Sequence, residues 1–143
     1  MITIAQLTRL PRKFIKYYDR QFVPLLERSG MSMREIHVLL FLANHPGQDT
    51  AKDVAELRGL AKSQVSQAVE VLTSRGILSR RADGEDRRII HLDITEEGRT
   101  LAREAQAVQA ACGKRLLAGL SEEEQAVFLD LLERVLRETE ALA

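Results

Sequence analysis

The sequence predicts a mainly α-helical fold that carries one small β-hairpin. Over most of the 143 residues, apolar side chains recur every three or four positions, which is the period of an amphipathic helix. Residues 90–94 instead alternate between apolar and polar side chains, and they follow the turn signal Asp83-Gly84. The two periods together indicate several helices and one hairpin of two short strands.

The first helix is predicted over residues 3–28. Pro11 and Pro24 are expected to bend or interrupt it, because proline has no amide hydrogen to donate along the helix. Its apolar face comprises Leu7, Leu10, Phe14, Tyr18, Phe22, Leu25 and Leu26.

Capping signals place the next two helices. Ser32 is followed three residues later by Glu35, a capping box that begins a helix ending before residues 46–47, Pro-Gly. Residues 50–53 repeat the pattern as Thr-x-x-Asp and begin a short third helix that ends at Gly59.

A fourth helix is predicted over residues 62–75, and it ends at Gly76. Its apolar positions form a single stripe that must face the core, which leaves its polar face for solvent or a partner. The stripe comprises Ala61, Val65, Ala68, Val69 and Leu72, and the opposite face comprises Lys62, Ser63, Gln64, Ser66, Gln67 and Glu70.

The third and fourth helices form a helix-turn-helix pattern, and the hairpin that follows makes it a winged helix. A polar helix fits the major groove of DNA, while Arg87 and Arg88 at the hairpin tip reach an adjacent minor groove. On pattern alone, these two arginines are either groove contacts or solvated loop charges. The uncharged Gln64, Ser66 and Gln67 favour contact with base edges over a purely solubilising face.

Two further helices are predicted near the C-terminus. One runs from the end of the hairpin to about residue 118, and the other begins with the capping box Ser121-x-x-Glu124. With the first helix, they carry more apolar surface than so small a DNA-reading unit could cover, so a second copy of the chain is expected. The predicted organisation is a dimerisation helix at 1–30, a DNA-binding domain at 31–95 and dimerisation helices at 96–143.

Charge is unevenly distributed, although 21 basic and 21 acidic residues give a net charge of zero. Residues 1–31 and 58–95 are net basic, at +4 and +2, whereas residues 32–57 and 96–143 are net acidic, at −2 and −4. Because a polyanion responds to the local field, the neutral total weakens the DNA interpretation without excluding it.

The sequence argues against several other classes of protein. No stretch approaches the roughly 18 apolar residues of a membrane helix, and the N-terminus lacks the features of a signal peptide. The protein is therefore expected in the cytoplasm, without membrane contact. No nucleophile-elbow, phosphate-loop, dinucleotide or zinc-hydrolase motif is present, so neither enzymatic activity nor a cofactor is expected.

The single cysteine and the three histidines do not indicate a reactive site. Cys112 lies on the apolar stripe of the fifth helix, which favours packing over a redox role. His37, His45 and His91 lack the paired spacing of metal ligands, so no metal site is expected.

The sequence resembles the MarR family of bacterial transcription regulators over essentially its whole length. The hairpin fits the family's wing signature, Asp-x-Arg followed by five residues and Leu-Thr, here Asp86, Arg88 and Ile94-Thr95. Residues 62–67 and 75–78 are similar to the family's recognition helix and first wing strand. The combination of these motifs is more specific than the wing signature alone.

The resemblance implies roles for particular residues. Arg88 is expected to enter the minor groove, with Asp86 orienting it or a neighbouring arginine through a salt bridge. Gln67 stands where arginine is common, which removes a phosphate or guanine contact but leaves a side chain that can pair with adenine. Ala61 stands where a hydroxyl N-cap is common, so either Ser63 or the preceding backbone satisfies the first amides of the helix, or the helix start is frayed.

The resemblance also implies homodimers, many of which leave DNA on binding small phenolic or lipophilic ligands or on oxidation. Oxidation sensing is disfavoured, because the family's peroxide sensors usually carry a cysteine near the N-terminus and this chain has none there. Phe14, Tyr18 and His37 are the candidate ligand-pocket residues, although aromatic residues on an amphipathic stripe also serve as core.

The sequence therefore predicts a homodimeric DNA-binding transcription regulator, a repressor of an inverted-repeat operator that an unidentified small molecule releases. The alternative is a winged-helix module that docks a protein partner without specific DNA binding. The DNA contacts are assigned to Lys62, Ser63, Gln64, Ser66, Gln67, Arg87 and Arg88.

Overall fold

A computed structural model describes residues 1–142 of the chain. The predicted fold class, mainly helical with a small wing of two strands, is confirmed. Within these residues the elements are α1 (Ile4–Ser29), α2 (Met33–Asn44), α3 (Ala51–Arg58), α4 (Lys62–Ser74), β1 (Leu78–Ala82), β2 (Ile90–Ile94), α5 (Glu96–Leu116) and α6 (Glu122–Glu140).

α1 is one continuous helix that contains both prolines, so of the predicted bend or interruption at Pro11 and Pro24, the interruption is wrong. Each proline removes the hydrogen bond to the carbonyl four residues earlier, at Leu7 and Arg20. Both of those residues are exposed, so water can satisfy their carbonyl groups. The helix therefore continues to its left-handed cap, Gly30, where φ is 71°.

The capping boxes predicted for α2, α3 and α6 are confirmed. Ser32, Thr50 and Ser121 are the N-caps, and each accepts a hydrogen bond from the amide three residues later. The acidic side chain of that later residue accepts from the N-cap amide in return. Gly59, with φ at 72°, ends α3 as predicted. These local signals fix where the helices begin and end.

The chain divides into two compact units, residues 1–109 and a second unit that begins at Ala110. The core of the first unit contains side chains from the first four helices and from the hairpin. Each fully buried aliphatic or aromatic side chain stabilises the fold by about 1.5–3 kcal/mol. The largest ones in this unit are Phe22, Ile36, Val38, Leu39, Val54, Val65 and Leu72.

β1 and β2 pair antiparallel to form the wing. Leu78 lies opposite Ile94 at its base, and Ala82 lies opposite Ile90 at its far end. Leu92 is buried but Ile90 is 39% exposed, so the predicted buried face of β2 is confirmed only near the base. Ile90 is exposed because it lies at the end of the hairpin farthest from that base.

The connection between the strands spans residues 83–89, so the turn signal Asp83-Gly84 begins it rather than making up the whole turn. Asp83 Oδ2 accepts hydrogen bonds from the amides of Glu85 and Asp86, each at 3.0 Å. In turns, aspartate side chains commonly form such hydrogen bonds with the backbone of nearby residues. The connection is thereby ordered as far as Asp86.

Thr95 and Gly98 fix the base of the wing to the start of α5. Thr95 Oγ1 donates to the Gly76 carbonyl at 2.6 Å and accepts from the Gly98 amide at 3.0 Å. A β-carbon at Gly98 would overlap the carbonyl oxygen of Ile77, so the close approach requires glycine. This contact gives the Ile94-Thr95 end of the wing signature a structural reason.

The second unit contains the end of α5 and all of α6. Gln125 Nε2 donates to the carbonyls of Leu117 and Leu120, each at 3.1 Å, which fixes the turn before α6. No residue of α6 is buried, so its apolar face is uncovered. The last residue of the predicted C-terminal segment, Ala143, lies outside the described residues. Across residues 1–142, none of the helices combines the length and the apolar character needed to cross a bilayer.

Candidate nucleic-acid interface

α4 presents a polar face because its apolar stripe is buried. Val65, Ala68, Val69 and Leu72 are at most 4% exposed, which confirms the predicted stripe within the helix. Ala61 is the exception, since it precedes the helix as its N-cap and is exposed. Five side chains of α4 are assigned to DNA contact. Gln64 is half-buried, and the other four are exposed: Lys62, Ser63, Ser66 and Gln67.

The start of α4 is capped by Gln64 and by backbone. Ala61 has no side-chain acceptor, but its N–H donates to the Gln64 amide oxygen at 3.2 Å. The Ala61 carbonyl accepts from the amides of Gln64 and Val65 at 3.0 and 3.1 Å. Of the first three amides of α4, the backbone therefore satisfies that of Gln64, and the expected cap by Ser63 is not formed. Because its carboxamide is engaged at the helix start, Gln64 is less available to a partner than Gln67.

Arg88 lies at the wing tip, where its side chain is 91% exposed. Its guanidinium nevertheless forms the predicted salt bridge with Asp86, with Nε–Oδ1 and Nη2–Oδ2 distances of 3.1 Å. The Arg88 amide also donates to Asp86 Oδ1 at 3.0 Å. These hydrogen bonds from Arg88 lower the pKa of the Asp86 carboxyl group. A cation is therefore held at the tip in a defined orientation before any partner binds.

The other hairpin arginines are placed differently. Arg87 is exposed and forms no ion pair with the residues that the structure describes. Arg80 pairs with Glu70 of α4 at 2.9 Å, which joins the wing to that helix. Arg81 pairs with Asp93 on the opposite strand at 2.9 Å, and this hydrogen bond raises the pKa of Arg81. Neither pair was predicted, although the antiparallel register brings Arg81 close to Asp93.

His91 connects the wing to the helix-turn-helix. Its Nδ1 lies 2.6 Å from Asp49 Oδ1, and its Nε2 lies 2.7 Å from Asp83 Oδ1. Asp49 immediately precedes the N-cap of α3, and Asp83 begins the wing connection. We call these three residues the His91 bridge. This contact of His91 was not predicted, because Asp49 is 42 residues away and no local pattern links the two.

A cavity of about 400 Å³ lies within the first unit. Phe14, Tyr18 and His37, the three predicted pocket residues, line this one cavity. Arg58 and Gln109 also line it, and the sequence did not single them out. The mixture of aromatic and polar side chains is typical of small-molecule sites in proteins.

The cavity wall has a buried polar atom and a side-chain hydrogen-bond network. His37 Nε2 is buried and has no hydrogen-bond partner among the described residues. Burial lowers the pKa of His37, and the nearby charge of Arg58 lowers it further. Gln109 Nε2 donates to the Tyr18 hydroxyl at 2.9 Å, and Asn44 Nδ2 donates to Gln109 Oε1 at 3.0 Å. The network orders one wall, while the buried His37 nitrogen has no such partner among the described residues.

Cys112 is 1% exposed, and its burial raises the pKa of the thiol. A buried thiol with a raised pKa is a poor nucleophile, which supports packing over redox chemistry. Among residues 1–142, no group of three or more His, Cys, Asp or Glu side chains is arranged to hold a metal ion.

A family model and several related proteins all identify this chain as similar to transcription regulators. A family model described as the MarR family matches residues 29–89. The uncharacterized HTH-type transcriptional regulator YfiV of Bacillus subtilis (strain 168) is 35% identical over 109 residues, or 74% of this chain and 68% of YfiV. The HTH-type transcriptional repressor MdtR of the same strain is 30% identical over 99 residues, or 69% of this chain. The chain spans just under two thirds of some relatives, 63% of MdtR and 65% of the regulator YdgJ.

Solved structures extend the likeness to nearly the whole chain. The crystal structure of transcriptional regulator PA3341 has a TM-score of 0.77 at 29% identity, and the match covers 96% of this chain and 97% of that one. CouR from Rhodococcus jostii RHA1, solved bound to p-coumaroyl-CoA, has a TM-score of 0.70 at 28% identity over 90% of this chain and 87% of CouR.

Proposed function

Because this chain belongs to the MarR family of DNA-binding transcription regulators, we propose that it is a homodimeric repressor of an inverted-repeat operator and that a small molecule relieves the repression. The matching proteins are transcription regulators and not enzymes. MdtR is named a repressor, and the CouR structure contains p-coumaroyl-CoA. Both names support a ligand-responsive repressor here, and such a protein would act in the cytoplasm, where promoter DNA is read.

The observation that carries the proposal is the pairing of an exposed polar helix with a preset arginine. In the proposed complex, α4 enters the major groove, where Ser66 and Gln67 contact base edges and Lys62 contacts a phosphate. Arg88 enters the neighbouring minor groove, where the negative potential of a narrow groove attracts a guanidinium. Asp86 keeps that guanidinium in place, which lowers the entropy lost on binding.

Homodimer formation is proposed because two apolar surfaces are uncovered in the single chain. A helix such as α6, with none of its residues buried, is only marginally stable alone, and a second copy would cover its apolar face. On α6 the exposed apolar residues are Val127, Phe128, Leu129, Leu131, Leu132, Val135 and Leu136, and near the N-terminus they are Ile2, Ile4, Leu7, Leu10 and Ile15.

The ligand is proposed to bind in the cavity lined by Phe14, Tyr18 and His37. Its aromatic wall suits an apolar or aromatic body, and the buried Nε2 of His37 can pair with a polar group of the ligand. Release from DNA then requires that the ligand bind more tightly to a dimer whose two α4 helices no longer match the half-site spacing. The ligand thereby shifts the population of dimers towards the conformation that does not fit the operator, and it does not block the DNA-binding surface.

Selection of duplexes from random sequence by the purified chain, followed by footprinting, tests operator binding. The proposal predicts an inverted repeat with half-site centres about 34 Å apart, one turn of the duplex. Arg88→Ala should weaken binding, while Arg137→Ala, which removes an exposed arginine of α6, should not. Recovery of no protected inverted repeat from the random pool or from the chain's own promoter region would refute specific operator binding.

Salt dependence distinguishes the repressor from a winged-helix module that docks a protein. Contact with about six or more phosphates should weaken binding by orders of magnitude between about 50 and 200 mM salt. Apolar docking should change little over that range. A flat salt profile with retained protein capture would therefore favour the docking module.

A further inference from the structure

The His91 bridge joins the two parts of the proposed DNA-reading surface. Its contact to Asp49 is reinforced by backbone, because the Leu92 amide donates to the Asp49 carbonyl at 2.8 Å. Thr50, the N-cap of α3, also pairs with His91 in an isolated β-bridge. The histidine side chain is 20% exposed, and the two aspartates are 27% and 28% exposed. The bridge is therefore partly shielded from water.

The geometry requires a protonated ring. A neutral imidazole has one N–H donor and one acceptor nitrogen, whereas both ring nitrogens of His91 face carboxylate oxygens, which only accept. Only the imidazolium can donate to Asp49 and Asp83 together. Hydrogen bonds to Asp49 and then to Asp83 raise the pKa of His91, outweighing its burial.

Other charges face the bridge as well. Arg81 of β1 lies 3.9 Å from Asp49 Oδ2, and its charge opposes protonation of His91. Asp93 of β2 pairs with Arg81 and offsets that charge. On the wing side, the His91 hydrogen bond and the amides of residues 85 and 86 lower the pKa of Asp83 to about 2. Asp83 thus stays ionised against the imidazolium throughout the neutral range.

The bridge reaches the wing tip through bonded neighbours. Asp83 Oδ1 faces His91, and Asp83 Oδ2 accepts from the Asp86 amide. Asp86 in turn holds the Arg88 guanidinium. The chain of contacts therefore runs from the start of α3 to the arginine that is proposed to enter the minor groove.

We propose that protonated His91 is a positioning residue that fixes the wing against the helix-turn-helix, so that operator affinity falls when His91 loses its proton. The inference rests on the operator binding proposed above. Deprotonation removes one of the two hydrogen bonds and brings a ring lone pair against a carboxylate. The backbone contacts of Leu92 and Thr50 remain, but the wing connection is held less firmly, and with it the distance of Arg88 from α4.

The first arm of the test uses the free protein without DNA. Imidazole nitrogen NMR of the full chain should show both ring nitrogens of His91 protonated at pH 6.5 and a loss of one proton only at higher pH. Asp83→Asn keeps an oxygen that can accept from the amides of residues 85 and 86 but removes the charge, so it should move the His91 midpoint to lower pH. A His91 ring that is neutral at pH 6.5 would overturn the bridge.

The second arm measures affinity for a duplex that the wild-type chain has selected from random sequence. His91→Gln, which retains one donor but no charge, should bind about tenfold more weakly than wild type below pH 6.5. As pH rises, the two affinities should converge with the midpoint that NMR gives for His91. The melting temperature of the variant reports whether it remains folded.

The outcomes separate the two proposals. An affinity ratio that stays constant across the His91 titration would overturn the coupling while leaving operator binding intact. Absence of specific binding at every pH, with His91 still titrating as expected, would refute the operator proposal and the coupling with it. Convergence at the NMR midpoint supports both.

Discussion

α4 and the wing are held in place by different forces, although both are proposed to contact DNA. α4 is anchored by side chains such as Val65 and Leu72, which are fully buried in the core. Most of β2 and the whole tip of the wing lie outside that core, and ion pairs orient Arg88 and join the wing to α3 and α4.

The difference has a functional consequence. Apolar packing is insensitive to salt and to pH near neutrality, whereas partly exposed ion pairs respond to both. We therefore expect the position of the major-groove helix to be constant and that of the minor-groove arginine to be adjustable.

Removing core packing beneath α4 should have the largest effect. Leu72→Ala is expected to lower the free energy of unfolding by about 2–5 kcal/mol, because it leaves a cavity under the helix. Its neighbour Val71 is 38% exposed, so Val71→Ala should cost much less. Urea denaturation of both variants measures the difference, and equal losses would contradict an anchor made of core packing.

Crowding the base of the wing should have an intermediate effect. Gly98→Ala is expected to cost about 1–3 kcal/mol of stability, since the new methyl group would overlap the Ile77 carbonyl. Gly113 lies in the same helix, and a β-carbon there would project into open space, so Gly113→Ala should stabilise the chain by about 0.5–1 kcal/mol. Opposite signs in thermal denaturation are the expected result. A stabilising Gly98→Ala would show that the contact at the wing base is loose.

Loss of the wing-tip cation should reduce binding and leave folding unchanged. Arg88→Ala is expected to weaken operator affinity by about 1–3 kcal/mol, with no change in dimer formation or melting temperature. Asp86→Asn retains the cation but weakens the bonds that orient it, so its effect on affinity should be smaller. Titration of a labelled operator with each variant measures both effects. Unchanged affinity in Arg88→Ala would remove the wing from the DNA interface.

The His91 bridge should make stability depend on pH in a defined window. Because the pKa of His91 is raised above its ordinary 6.5, its contribution is complete below that pH and is lost as pH rises through the raised value. Because the pKa of Asp83 falls from 3.8 to about 2, its contribution is complete above 3.8 and is lost as pH falls towards about 2. The stability difference between wild type and His91→Gln should therefore be greatest between those limits. A difference that grows above pH 6.5 would contradict the assigned charge.

Substitution on the exposed face of α4 should change preference more than affinity. Gln67→Ala is expected to relax the choice of base at one position in each half-site, because glutamine can pair with adenine through two hydrogen bonds. Binding-site selection with the variant measures this preference. Ser74→Ala, at the other end of α4 and outside the assigned DNA contacts, is the control. Identical selected sites for wild type and Gln67→Ala would show that Gln67 does not read a base.

The sequence predicted those features that depend on residues close together in the chain. Capping boxes at Ser32, Thr50 and Ser121 located three helix starts, and the apolar stripe of α4 identified its buried side. The Asp86–Arg88 salt bridge joins residues only two positions apart, and the family signature indicated it. In each case a local pattern carries enough information to determine the local structure.

Contacts between residues far apart in the chain were not predicted from the sequence. Asp49 and His91 are brought together only by the packing of the wing against the α2–α3 connection, and Arg58 reaches the cavity only once α3 is folded beside α2. Pro11 does not interrupt α1, which was one of the two effects predicted for it, because a missing hydrogen bond matters little where water replaces it. Local patterns therefore identified the interface, while its connections depend on the tertiary structure.

Chemical footprinting of one selected operator can distinguish contact by α4 from contact by the wing, because it reports each groove separately. With wild-type protein, we predict protection of purine N7 atoms in the major groove by α4 and protection of sugars in the adjacent minor groove by the wing. With Arg88→Ala, the minor-groove protection should be lost while the major-groove protection remains at saturating protein. Major-groove protection that disappears together with the wing contact, or a minor groove that is never protected, would contradict the account.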